Sequence, residues 1–130
     1  MSYAGIQATV NFYTMREADL TNELSDIMTS ITQASGQTIE LVTSTNDQKS
    51  VIRNSAAPDS TEYKTQMDQI SGQYEVKLAQ ITDWESQLET RKQALETEIQ
   101  ATTSYKENFK TALKQNIQKD YKYGDGAATK

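Results

Sequence analysis

The only proline of this chain, Pro58, separates two long stretches in which apolar residues recur in steps of three and four. Before it, Ile6, Val10, Tyr13, Leu20, Leu24, Ile27 and Ile31 form one series, broken only by Glu17. After it, Ile81, Leu88, Leu95, Thr102 and Phe109 keep a seven-residue beat. Such spacing gathers apolar groups into a narrow helical stripe, and a narrow stripe is stable when another helix covers it. Two stripes with one break between them predict an all-α fold. The expected architecture is a long antiparallel two-helix coiled-coil hairpin with its turn at about residues 54–60.

The first helix is expected over about residues 2–53. Its stripe thins after Ile31 to Ala34, Thr38, Leu41, Thr45, Gln48 and Ile52. Gly36 weakens it by roughly 1 kcal/mol relative to alanine. The run Thr43-Ser44-Thr45-Asn46-Asp47 is poor in helix formers, because short polar side chains compete for backbone groups. A break at residues 43–47 is the alternative to the continuous helix favoured here. Pro58 disfavours helix at Ala57, and Asp59 with Glu62 resembles a capping box that would start the next helix.

The second helix is expected over about residues 60–123. Its four-four spacing across Ile70, Tyr74 and Leu78 should locally unwind a supercoil. Gly72 beside that point is either a site of close helix approach or merely tolerated. From Ile81 onward the second edge of the stripe reads Glu85, Lys92, Ile99, Lys106 and Leu113, and polar residues there can fix alignment. Folding back at Pro58 would set residues near 30 against residues near 84, for example Ile31 across from Ile81. Gly124 is a natural helix terminator, so residues 124–130 are expected to be a disordered tail.

A chain of 130 residues with 35% apolar content is one domain at most, and two helices bury little on their own. Helices of these lengths imply a rod on the order of 75–90 Å at about 1.5 Å per residue. Such a rod offers no enclosed pocket, so self-association is the expected source of further burial. There is no histidine and no cysteine, which excludes disulfides, thiol chemistry and the usual zinc sites. No histidine is present to activate the many hydroxyls, and the carboxylate pairs lie on expected solvated faces. No catalytic residue, cofactor or metal site is expected, and the chain reads as a non-enzyme.

The net charge of −5 argues against nucleic acid as a partner. No run of eighteen apolar residues exists, so no membrane span is expected. The first ten residues do not resemble a standard secretory signal, so export would use a route that removes none. Lys106, Lys110 and Lys114 lie one turn apart. They complement the negative end of a helix dipole, and could also dock an acidic partner. Aromatics crowd both termini: Tyr3, Phe12 and Tyr13 at one, Tyr105, Phe109, Tyr121 and Tyr123 at the other. An antiparallel hairpin would bring these together, to close the fold or to anchor an interface. Trp84 falls off the main stripe and is expected to contact another chain.

The turn segment Ala57-Pro58-Asp59-Ser60, followed by Tyr63, Gln66, Ile70 and Tyr74, resembles the needle and filament subunits of type III secretion systems. The chain departs from the needle pattern in lacking a second proline and in its greater length. Over residues 80–124 it is also similar to uncharacterised small bacterial coiled-coil proteins. The residues there are Leu95-Glu96-Thr97-Glu98, Lys114-Gln115-Asn116-Ile117 and Tyr121-Lys122-Tyr123-Gly124. The first resemblance implies a self-assembling filament subunit, exported by a type III-like route and placed at the cell surface. The rival expectation is a cytoplasmic coiled-coil adaptor or export chaperone that receives a partner helix along its stripe.

Overall fold

Ser2 starts the first helix. Its hydroxyl accepts the backbone N–H of Gly5 at 3.1 Å and its carbonyl accepts that of Ile6 at 2.9 Å, pairing donors that a helix start leaves open. In the computed structural model α1 spans Tyr3–Ser55 and α2 spans Thr61–Ala128. The structure describes the backbone of residues 2–128 and the side chains of residues 2–119. The two long helices make a helical hairpin, and no strand occurs among the described residues.

α1 crosses residues 43–47 without a break. Thr9, Thr14, Thr21, Thr32 and Thr38 each donate a hydroxyl to the carbonyl four residues back, so threonine enters this helix with its polar group paired. Near the C-terminal end Ser55 does the same to Val51 at 2.7 Å, and the N–H of Ala56 reaches the Ile52 carbonyl at 3.0 Å. The helix stops where Pro58 forces its predecessor out of the helical region.

The cap of α2 is Ser60, not the expected Asp59. The Ser60 hydroxyl donates to the Ala57 carbonyl at 2.8 Å and accepts the N–H of Tyr63 at 3.1 Å. α2 therefore begins one residue late for an Asp59–Glu62 box. Glu62 falls at the second helical position, where its charge still favours the N-terminal end. At the other end α2 continues through Gly124 to Ala128, past the expected stop at Tyr123. No described glycine adopts a positive φ, so Gly124 makes no left-handed cap, and no proline follows to enforce a stop. Thr129 and Lys130, the end of the expected tail, lie outside the described residues.

The buried faces follow the expected stripes closely. In α1, Ile6, Val10, Tyr13, Glu17, Leu20, Leu24, Ile27, Ile31, Ala34, Thr38, Leu41 and Thr45 are buried or half-buried. Near the turn the stripe slips by one: Gln48 is exposed and Lys49 is half-buried in its place. A three-four beat drifts slowly around a helix of 3.6 residues per turn, and a lysine stem can cover apolar surface while its amine stays wet.

Packing divides the chain into two units. In the first, Met1–Ser25 with Gln93–Lys130, Ile6, Val10, Leu20 and Leu95 form the apolar centre and Thr102 is buried with them. In the second, Asp26–Lys92, the buried residues are Ala34, Leu88 and Thr45. Here the Thr38 hydroxyl lies 3.4 Å from the Glu85 carboxylate. That pairing sets residue 31, two turns earlier in α1, against residue 92, two turns later in α2. The expected Ile31–Ile81 alignment is therefore displaced.

Beyond the glycine's own turn of helix, no atom lies within 4 Å of where a Cβ would sit on Gly36 or Gly72, so Gly72 marks no close helix approach. Gly36→Ala and Gly72→Ala should each stabilise the hairpin by about 1 kcal/mol, because alanine loses less backbone entropy on entering a helix. Melting followed by circular dichroism should show both variants above the parent. A lower melting temperature in either would mean that its helix face is covered.

Candidate self-association surface

Tyr13 is the centre of an aromatic cluster in the first unit. Its ring meets Phe12 edge-on, with centroids 5.4 Å apart and planes at 72°. It lies 5.8 Å from Tyr105 and stacks on Phe109 at 5.8 Å with planes at 24°. Such contacts add to simple area burial. The expected meeting of N- and C-terminal aromatics thus occurs for Phe12, Tyr13, Tyr105 and Phe109. Tyr3 makes no ring pair among the described residues and is exposed. The side chains of Tyr121 and Tyr123 lie outside those described. The cluster is open to solvent at its rim: Phe12 is 62% exposed and Tyr105 54%.

Beside the rings lies a polar knot. The Lys106 amine donates to one Glu17 oxygen at 2.9 Å and the Thr103 hydroxyl donates to the other at 2.7 Å. These two bonds hold the Glu17 carboxyl below its ordinary pKa, with the Lys106 charge adding to the effect and partial desolvation opposing it. The knot explains why Glu17 interrupts the apolar series of α1: its partners come from the polar edge of α2. Arg16 and Glu98 pair at 3.2 Å further out, where both are well solvated.

Lys106 accordingly turns inward, its side chain only 13% exposed, and contributes little to an outward basic strip. Lys110 faces solvent, 3.7 Å from Glu107 on the same helix. Lys114 is exposed.

Trp84 is half-buried, beside the half-buried Glu85 and one turn from the buried Leu88. It sits at the margin of the seam, not on a free outer face. The large apolar side chains that do face water lie elsewhere: Phe12, Met15, Ile39, Val51 and Val76 are all at least 60% exposed. Of these, only Phe12 was singled out by the aromatic pattern. The others were legible as apolar residues that fit neither stripe, a signal diluted by the many ordinary exposed apolar groups of any protein.

Among the described residues no group of three or more His, Cys, Asp or Glu is placed to hold a metal ion, and no helix is long and apolar enough to cross a membrane. Comparison with protein families, curated proteins and solved structures finds no match for this chain.

Proposed function

We propose that this chain is a structural, non-catalytic subunit that assembles with copies of itself into a filament or another homo-oligomer. One observation carries this reading. Phe12, Met15, Ile39, Val51 and Val76, all large and apolar, are each at least 60% exposed. A second copy would cover such side chains. If the assembly is a filament, the likeness around Pro58 to type III secretion subunits supports export by a similar route.

Polar residues along the stripe, Glu17, Thr38, Lys92 and Lys106, together with the acidic charge, suit the rival adaptor reading. Glu17, Thr38 and Lys106 have partners inside the hairpin, so they do not call for an outside helix.

Light scattering and negative-stain microscopy across a concentration series test the proposal. Growth into polymers or a defined oligomer is the expected result. A helical monomer at every concentration would refute it. Replacing Phe12 and Met15 together by alanine should leave the helicity of the dilute chain nearly unchanged and lower its stability by no more than the Phe12–Tyr13 edge contact, about 0.5–1.5 kcal/mol, since neither is in the core. If they anchor the contact, hot-spot truncations of about 2 kcal/mol or more should raise the assembly threshold on the order of thirtyfold.

A further inference from the structure

Resting on that reading, we propose which surfaces meet: the outer face of α1 in the second unit receives the outer face of α2 in the first unit of another copy. The receiving face is a shallow groove lined by Ile39, Glu40, Ser44, Asp47, Gln48 and Val51. Glu40, Ser44, Asp47 and Val51 are spaced by four, three and four residues, so they share one face of α1. Ile39 is 68% exposed and Val51 65%, and they stand at the two ends of the groove, more than three helical turns apart. No basic side chain lines the groove, and neither Glu40 nor Asp47 makes an ion pair among the described residues.

The complementary face carries Lys110, Lys114 and Ile117, spaced by four and three on α2. All three are exposed, Ile117 at 47%. Lys114 has no ion-pair partner among the described residues. Lys110 has a loose, solvated contact with Glu107 on its own helix and otherwise acts on Glu17 through charge alone, without a hydrogen bond. The α1 face is acidic, the α2 face is basic on balance because two lysines outnumber Glu107 on the same stripe, and each adds exposed aliphatic surface. Charge of this kind steers encounter and rejects wrong alignments, while the aliphatic groups supply burial. The contact joins two different patches, so each copy offers one of each and the association can propagate.

Charge exchange tests the pairing. One variant carries Glu40→Lys and Asp47→Lys; a second carries Lys110→Glu and Lys114→Glu. Alone, each variant sets like charges against each other in every contact. Its assembly threshold in sedimentation velocity should rise at least about tenfold over the wild type. All four positions are solvent-facing, and circular dichroism should show each variant as helical as the parent. Mixed in equal amounts, the two variants present opposite charges at every junction, and assembly should return to within about twofold of the wild-type threshold. Raising salt from about 0.05 M to about 0.5 M should weaken wild-type assembly. Variants that block assembly singly but are not rescued by mixing overturn this pairing. So does a wild type that assembles while both variants assemble equally well, an outcome that leaves the proposed function standing. A wild type that never associates overturns both.

Discussion

Leu95→Asp is expected to abolish the folded hairpin. Leu95 has no exposed surface and is one of the two largest fully buried side chains, with Leu20. Truncating a buried leucine costs about 2–5 kcal/mol through lost transfer energy and the cavity left behind. A carboxylate at the same place adds the penalty of an unpaired charge removed from water. Small domains have only about 5–15 kcal/mol of stability in total, and a two-helix chain with so few buried apolar residues should sit at the low end. Leu20→Asp should behave alike. Leu88, at 9% exposure, lets an aspartate reach toward water, so Leu88→Asp should be the milder of the three. Ile39→Asp is the control, because a residue that is 68% exposed should melt within about 0.5 kcal/mol of the parent. Circular dichroism of the dilute chain reads all four. Parent-like melting of both Leu95→Asp and Leu20→Asp would show that the buried stripes are misassigned.

Lys106→Met should give the next largest effect. It keeps the aliphatic stem but removes the amine that holds Glu17, leaving that carboxylate with the Thr103 hydrogen bond and the more distant Lys110 charge. A hydrogen bond to a charged group contributes about 1.5–3 kcal/mol, and the loss should fall toward the lower figure because Glu17 keeps some solvent access. The variant should also change the acid side of the stability profile. Glu17 has a folded pKa lowered below its ordinary 4.5, so the unfolded chain binds its proton first. The stabilisation is therefore fully present above about pH 5 and is lost as pH falls below 4.5 through the folded value. With Lys106 gone the lowering shrinks, and so does the acid-induced loss attributable to Glu17. Replacing Glu17 and Lys106 together by leucine and methionine should recover much of the stability, since an apolar pair of similar volume removes the desolvation cost. Denaturant unfolding at pH 7 and pH 3 separates these outcomes. A parent and Lys106→Met variant with the same pH dependence would mean that the knot contributes nothing.

Much of the fold was legible because burial in a hairpin is written as a period. Ile6 to Thr45 and Ile81 to Leu113 mark the seam by spacing alone, and Pro58 marks the turn. What periodicity leaves open is how far one stripe slides along the other. Two such stripes can bury each other at several axial offsets, so Ile31 against Ile81 was as compatible with the spacing as the observed Thr38 against Glu85. The polar residues decide between them. Glu17 can meet Thr103 and Lys106 only at one offset, and that signal lies in complementary interruptions of two stripes read together. Caps were harder to place, since Asp59 and Ser60 are both good caps and the geometry after Pro58 decides which hydroxyl or carboxylate reaches the third N–H. The association surface was least legible. Trp84 stood out by residue type yet sits half-covered at the seam, while Ile39, Val51 and Val76 are common residues whose exposure only the three-dimensional packing reveals.

The dependence of melting temperature on protein concentration tests most directly whether another copy of the chain covers the exposed apolar side chains. Association that buries folded-state surface stabilises the fold by mass action, so the midpoint must climb with concentration. Melting from about 1 μM to about 1 mM should show a rise of several degrees, with a steeper transition at the top of the range. The same midpoint across that thousandfold span, with the chain fully helical throughout, would contradict it and leave the hairpin as a monomer.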